Sequence, residues 1–113
     1  MIERLAAKKL VIYLGESHRA GAHPLSDALL HLLQKKGIAG ASLFRGVAGF
    51  GRHRVIHTAA ILRLSEDLPL RIEAVDTAAK IEEALPEVLA LVKGGLVEIG
   101  DVVICREGPV DET

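Results

Sequence analysis

Residues 45–57 read Arg45-Gly46-Val47-Ala48-Gly49-Phe50-Gly51-Arg52-His53-Arg54-Val55-Ile56-His57. Three glycines and no sustained hydrophobic period argue against regular structure here, and no clean period returns before Ala59. The stretch therefore predicts a long loop, and loops of this length in a small domain are uncommon and usually functional or mobile. From Arg45 to Arg63 there are four arginines, two histidines and no carboxylate. Backbone N–H groups of a glycine-rich loop can form an anion nest, and arginine can grip a phosphate or carboxylate at two points. Residue types alone leave two readings open: an anion or nucleotide site, or a loop that is only mobile.

The flanks are more regular. Lys8–Gly15 is a short, β-branched apolar run that predicts a strand buried on both faces, with Leu10, Ile12 and Leu14 on one side and Val11 and Tyr13 on the other. Residues 16–23 are polar and predict a loop. Pro24 suits a first helical position, and Leu25, Ala28, Leu29, Leu32 and Leu33 make one helical face that Lys35, Lys36 and Gly37 close. Gly40–Arg45 predicts the strand that enters the loop. Beyond the loop, Pro69–Val75 alternates as a strand, with Leu70, Ile72 and Ala74 on one face. Asp76 and Thr77 offer N-caps to a helix with Ile81, Leu85, Val88, Leu89 and Val92 inward, kinked or restarted at Pro86 and ended by Gly94 and Gly95. Leu96–Arg106 predicts one or two short strands around Gly100, and 107–113 a loose tail.

This order predicts one domain over 1–113 of the α+β class. It is a ferredoxin-like βαββαβ sandwich: a four-stranded antiparallel sheet, two helices on one face, and the long loop between strands 2 and 3. Val11, Tyr13 and Val75 then fall on the uncovered face of the sheet, and an apolar uncovered face predicts an oligomer.

Composition bounds the partners. The chain has 113 residues, a formal charge of -1 and only 3% aromatic residues, so it predicts an aliphatic core and no global field for nucleic acid or an anionic membrane. A single cysteine, Cys105, precludes an intrachain disulfide and favours a reducing compartment; in its apolar run it predicts an inert core thiol. Lys8 and Lys9 break the N-terminal apolar pattern before a signal sequence could form, and no run reaches transmembrane length, so a cytoplasmic protein without membrane insertion is expected.

Several side chains have chemistry of their own. His53 and His57 stand four apart and could share a helical face as metal ligands, although no carboxylate or thiol accompanies them. His18, His23 and His31 read as solvated. Glu16 and Ser17 follow the first strand without a paired base or nucleophile elbow, which favours a capping or loop-fixing role. Asp67, before Leu68-Pro69, reads as fixing the turn into the third strand.

Taken together, Lys36–Arg54, LPLRIEAVD at 68–76 and GLVEIGDVVIC at 95–105 resemble the PII signalling proteins, which carry a Gly-Phe-Gly-Arg-Gln motif at the root of a long loop. The resemblance is closer to a PII-like family, domain of unknown function 190. Its pattern stands here as Gly15-Glu16-Ser17, Arg45-Gly46, Gly49-Phe50-Gly51, Ile56-His57-Thr58, Leu64-Ser65 and Asp67-Leu68-Pro69. The resemblance implies a homotrimer with the sheets at its centre and ligand clefts between subunits, where PII proteins bind adenine nucleotides. It implies that the turn Gly94 to Asp101 lines the cleft, with ligand contacts from Arg45, Gly46, Gly49, Phe50, Gly51, Arg52 and His53, and from Gly100, Asp101 and Arg106 on the last strand. Four features depart from the PII pattern, the first being a spacing from Gly37 to Gly49 that is one residue longer. His53 replaces the glutamine, Val102 replaces the second glycine of the phosphate turn, and the loop lacks a tyrosine.

The expected function is a non-enzymatic regulator. It would bind a small ligand, with an adenine nucleotide as the candidate cofactor, and signal through the loop to a partner protein or transporter. One alternative is a divalent-metal-binding trimer related to the cation tolerance proteins, with His53 and His57 as ligands. Another is an enzyme with an intersubunit site.

Overall fold

The computed structural model describes residues 1–51, 54–58 and 67–108. Its elements run β1 (Ile2–Gly15), α1 (Leu25–Lys35), β2 (Ala41–Arg45), β3 (Pro69–Asp76), α2 (Ala78–Val92) and β4 (Leu96–Glu107). Two-residue ribbons pair Arg19–Ala20 with His23–Pro24 and Ala48–Gly49 with His57–Thr58. The four strands form one antiparallel sheet in the order β2-β3-β1-β4, the ferredoxin-like arrangement expected from the element order.

The core lies between the sheet and the helices. Leu10, Ile12 and Leu14 of β1 and Leu70, Ile72 and Ala74 of β3 meet Leu25, Leu29 and Leu33 of α1 and Ile81, Ala84, Val88 and Val92 of α2. No polar side chain is buried among the described residues. Leu85 is only partly buried and Leu89 is exposed, while Ala84 takes the inward place. A small residue there lets α2 approach the sheet closely.

Capping follows the local sequence. Gly37 takes φ +80°, and the N–H groups of Gly37 and Ile38 donate to Gln34 and Leu33 O at 3.0 and 3.1 Å, closing α1 with a Schellman motif. Pro24 is the residue before α1 rather than its first, and the Leu25 N–H donates to His18 O at 2.8 Å instead of to a side-chain cap. At α2 the Thr77 hydroxyl accepts from Lys80 N–H at 3.3 Å, and Asp76 Oδ2 accepts from Ala39 N–H at 2.8 Å, tying the start of α2 to the approach to β2. The helix runs through Pro86 as one element.

The sheet differs from expectation at one end. β1 begins at Ile2, well before Lys8, and β4 is a single strand of 12 residues that passes Gly100 unbroken. β3 pairs with β1 only from Lys8 onward, so the earlier part of β1 is paired with β4 alone, as a two-stranded ribbon. Charges at Glu3, Arg4, Lys8 and Lys9 hide this length from any periodicity test. The ribbon gives the chain a long axis of 56 Å. The radius of gyration is 16.6 Å, against roughly 13 Å for a compact chain of this size.

Three further positions depart from the sequence reading. Cys105 is exposed on the ribbon rather than held in a core. Glu107 belongs to β4 and Gly108 donates to Met1 O, so the loose tail can start no earlier than residue 109, outside the described residues. The sheet face away from the helices is mixed rather than apolar. Phe44, Arg71, Tyr13 and Leu96 lie in one row across it, and Val11, between Glu73 and Glu98, is already buried in the single chain. No helix among the described residues is long and apolar enough to cross a membrane.

Candidate functional site

Both roots of the segment between β2 and β3 are anchored to the turn that follows β1. At the entry root, Arg45 Nε lies 2.8 Å from Glu16 Oε2 and its Nη2 donates to Glu16 Oε1 at 3.2 Å. At the exit root, Leu68 O accepts from Glu16 N–H at 2.9 Å and Asp67 Oδ1 accepts from Ser17 N–H at 2.8 Å. Glu16 and Ser17 thus fix the loop, as their position after a strand suggested. Asp67 braces the turn after β1 as well as its own.

The two roots also touch. Gly46 N–H donates to Pro69 O at 2.7 Å. A Cβ on Gly46 would come 2.8 Å from Pro69 Cγ, so the close approach favours glycine there, and one on Gly49 would stand 3.0 Å from the same atom, a tight contact.

These contacts leave a cleft of about 690 Å³ at one end of the sheet. The loop side contributes Gly49, Phe50, Gly51, Arg54, Val55 and His57. The body contributes Tyr13, Leu14, Gly15, His18, Asp67, Pro69 and Leu70, and the turn after α2 contributes Lys93, Gly94, Gly95 and Leu96. Such a space is within the roughly 300–1,000 Å³ typical of small-molecule sites, and its mixture of apolar walls and a few charged groups is typical too. A smaller depression of about 330 Å³ between α1 and β2 has no lysine, arginine or carboxylate in its lining.

Three features set the cleft's electrostatics. Burial would raise the Asp67 carboxyl, but hydrogen bonds from the Ser17 N–H and hydroxyl, with His18 and His57 nearby, outweigh it and hold the group below the usual carboxylate range. A Cβ on Gly15 would sit 2.8 Å from Asp67 Oδ1, so glycine there admits the carboxylate. Arg54 lies over the Phe50 ring, 5.7 Å from its centroid, and its N–H donates to Gly51 O at 2.8 Å. Lys93 caps α2 in the left-handed conformation, at φ 42° and ψ 83°. Arg54 has φ 60°. Left-handed backbone costs a residue with a Cβ about 1–2 kcal/mol.

Of the residues expected at a ligand site, Gly49, Phe50 and Gly51 line this cleft, whereas Arg45 and Gly46 hold the entry root through Glu16 and Pro69 and are not part of the lining. Arg52 and His53 lie outside the described residues. Gly100, Asp101 and Arg106 are elsewhere on the same chain. Gly100 is four register positions from the cleft residue Leu96, roughly 13 Å at about 3.3 Å per residue, and Arg106 is ten positions away, roughly 33 Å. Asp101 pairs with Lys8 at 2.8 Å, which lowers the carboxyl and raises the amine. Among the described residues no group of three or more His, Cys, Asp or Glu side chains is placed to hold a metal ion. Lys93 and the lining role of Tyr13, His18, Arg54 and Asp67 were not foreseen. A lysine directly before a Gly-Gly pair at a helix end was the available signal for Lys93.

Fold and cleft together define a ferredoxin-like α+β domain with a ligand-sized cleft at the root of its long loop. The family model of domain of unknown function 190, described as an uncharacterized ACR, matches residues 7–104, and the chain belongs to that family. A UPF0166 protein of Methanocaldococcus jannaschii is 35% identical over 98 residues, 86% of this chain and 90% of that one. A UPF0166 protein of Aquifex aeolicus is 30% identical over 102 residues, 89% of this chain and 96% of that one. Among solved structures, the fold is similar to that of CPII, a nitrogen regulatory PII-like protein from Thiomonas intermedia, bound to ADP, AMP and bicarbonate. The TM-score is 0.66 at 18% identity, over 90% of this chain and 98% of that one. It is also similar to the divalent ion tolerance protein CutA1 from Ehrlichia chaffeensis, with a TM-score of 0.53 at 16% identity, over 93% of this chain and 85% of that one. At these identities the likeness extends to the fold.

Proposed function

We propose that this protein is a non-enzymatic PII-like regulator of the cytoplasm that binds a small anionic ligand of the adenine-nucleotide class and signals through the segment between β2 and β3. The observation that carries this reading is the location of the cleft. It opens between Gly49, Phe50 and Gly51 of the loop and the end of the sheet, so a ligand there touches the loop and the body of the fold at once. Ordering a loop on ligand binding is an established way to pass a signal to a partner, here a protein or transporter that docks on the ordered loop. The ADP, AMP and bicarbonate bound to the similarly folded CPII support the ligand class.

The reading includes a homotrimer. Gly100, Asp101 and Arg106 are too far along β4 to reach their own chain's cleft, and a neighbouring copy would bring them to it. Isothermal titration calorimetry with ADP, AMP and ATP tests the proposal. Saturable binding of at least one nucleotide, without turnover, is expected. Absence of nucleotide binding together with zinc or copper binding would replace this reading with the metal one, and turnover of a bound nucleotide would replace it with an enzyme.

A further inference from the structure

Glycine occupies left-handed backbone at positions 21, 37 and 94, as expected from its lack of a Cβ. Two non-glycine residues share that conformation among the described residues, Arg54 and Lys93. Both are cations, and both line the same cleft. They come from unrelated elements, one from the loop and one from the end of α2. Neither forms an ion pair with a carboxylate among the described residues. The carboxylate that shares the cleft, Asp67, is engaged by the Ser17 N–H and flanked by His18 and His57. A lysine at a helix C-terminus also interacts favourably with the helix dipole. That interaction needs no left-handed backbone, and it says nothing of Arg54.

We infer that Arg54 and Lys93 are the paired cations that take the anionic group of the cleft's ligand, a phosphate, and that this group, held by both, fastens the loop to the end of α2. The inference rests on reading the cleft as a nucleotide-class site. Arginine supplies a planar fork for two phosphate oxygens and lysine a point charge. In the structure the Arg54 guanidinium rests on the Phe50 ring. On binding it turns to the phosphate and uncovers that ring, an apolar face for the ligand's flat part. The two departures from glycine are thus retained for their side chains, and the bridge converts phosphate binding into a fixed loop position.

The test uses calorimetry on the full chain with ADP, adenosine and inorganic pyrophosphate, for wild type, Arg54→Gly, Lys93→Gly, Lys93→Arg and the control Lys35→Ala. Glycine relieves the backbone, so Lys93→Gly and Arg54→Gly should melt at or above the wild-type temperature. Each should bind ADP about tenfold or more weakly, the loss typical of one charge-assisted hydrogen bond, and lose pyrophosphate binding while adenosine binding is unchanged. Lys93→Arg should restore ADP affinity to within a few-fold of wild type, by the order-of-magnitude spread of such contacts. ADP binding by wild type with undiminished affinity in both glycine variants would overturn the inference and leave the nucleotide reading standing. Failure of wild type to bind either ADP or pyrophosphate would overturn both.

Discussion

Arg45 and Glu16 meet at two points, Nε to Oε2 at 2.8 Å and Nη2 to Oε1 at 3.2 Å, and so join the last residue of β2 to the turn after β1. The contact fixes where the loop leaves the sheet. Both side chains are partly exposed, so solvent screens the pair and its contribution is modest, although two-point geometry places it at the upper end for surface pairs. A double-mutant cycle with Arg45→Ala and Glu16→Ala is expected to give a coupling of about 0.5–1 kcal/mol in urea denaturation. Hydrogen exchange at Gly46 should quicken in either variant, because its N–H is held to Pro69 O at the same root.

Asp67 supplies a pH dependence with a definite sign. Its carboxyl sits below the usual range in the folded chain. A depressed carboxylate contributes stability above its unfolded value, about 3.9, and loses it as pH falls through the folded value. Asp67→Asn should therefore cost about 1–2 kcal/mol at neutral pH, and the difference from wild type should shrink as the pH is lowered below about 4. Urea denaturation at neutral pH and below pH 4 measures it. A cost that stayed constant across that range would assign Asp67 a neutral packing role.

Gly95 follows the cap of α2, where β4 returns beside β1. An added Cβ would lie 2.5 Å from Val92 Cγ1 and 3.3 Å from Tyr13 O. Val92 is buried and the second contact is backbone, so neither side can yield freely. Gly95→Ala is expected to lose about 1–3 kcal/mol in urea denaturation, the range for an overpacked core. Gly40→Ala, with open space around its Cβ, should change stability by less than about 0.5 kcal/mol.

How much of this was legible follows from what each residue touches. Leu10, Ile12, Leu29, Ile72 and Ile81 announced themselves because their period matches their element and they are fully buried. Leu89 misled. It lies one residue after Val88 on a 15-residue helix whose inward stripe, Ile81, Ala84, Val88 and Val92, is narrow, and hydrophobicity alone does not say that Leu89 falls outside it. The ribbon half of β1 was hidden because a strand paired on one side, and exposed over most of its length, can carry charges without cost. At the site, the glycines of the root could be read because close approach to Pro69 favours them. Lys93 was signalled only by its position before Gly94-Gly95, since its place in the cleft depends on where α2 stops against β1, a tertiary fact. Gly100, Asp101 and Arg106 were grouped with the root by resemblance, whereas in the single chain the length of β4 separates them.

That separation leads to a prediction about assembly. The outer halves of β1 and β4 form a two-stranded ribbon with Leu5 opposite Ile104 and Ala7 opposite Val102 on the sheet face away from the helices. Two strands alone are marginal in water, and among the described residues no third strand pairs with this ribbon. Leu5 is 40% exposed there, and Leu96 at the other end of the same face is 57% exposed. A second copy packed on this face would cover both ends and bring a neighbour's Gly100–Arg106 stretch toward the cleft. In the homotrimer proposed above, light scattering should give three times the chain mass for wild type. Leu5→Asp should shift it to the chain mass, because a carboxylate buried at the interface without a partner is costly. The same variant should weaken ADP binding although Leu5 is remote from its own cleft, since the neighbour's contribution would be lost. A wild-type monomer that binds ADP with full affinity would confine the site to the residues of a single chain.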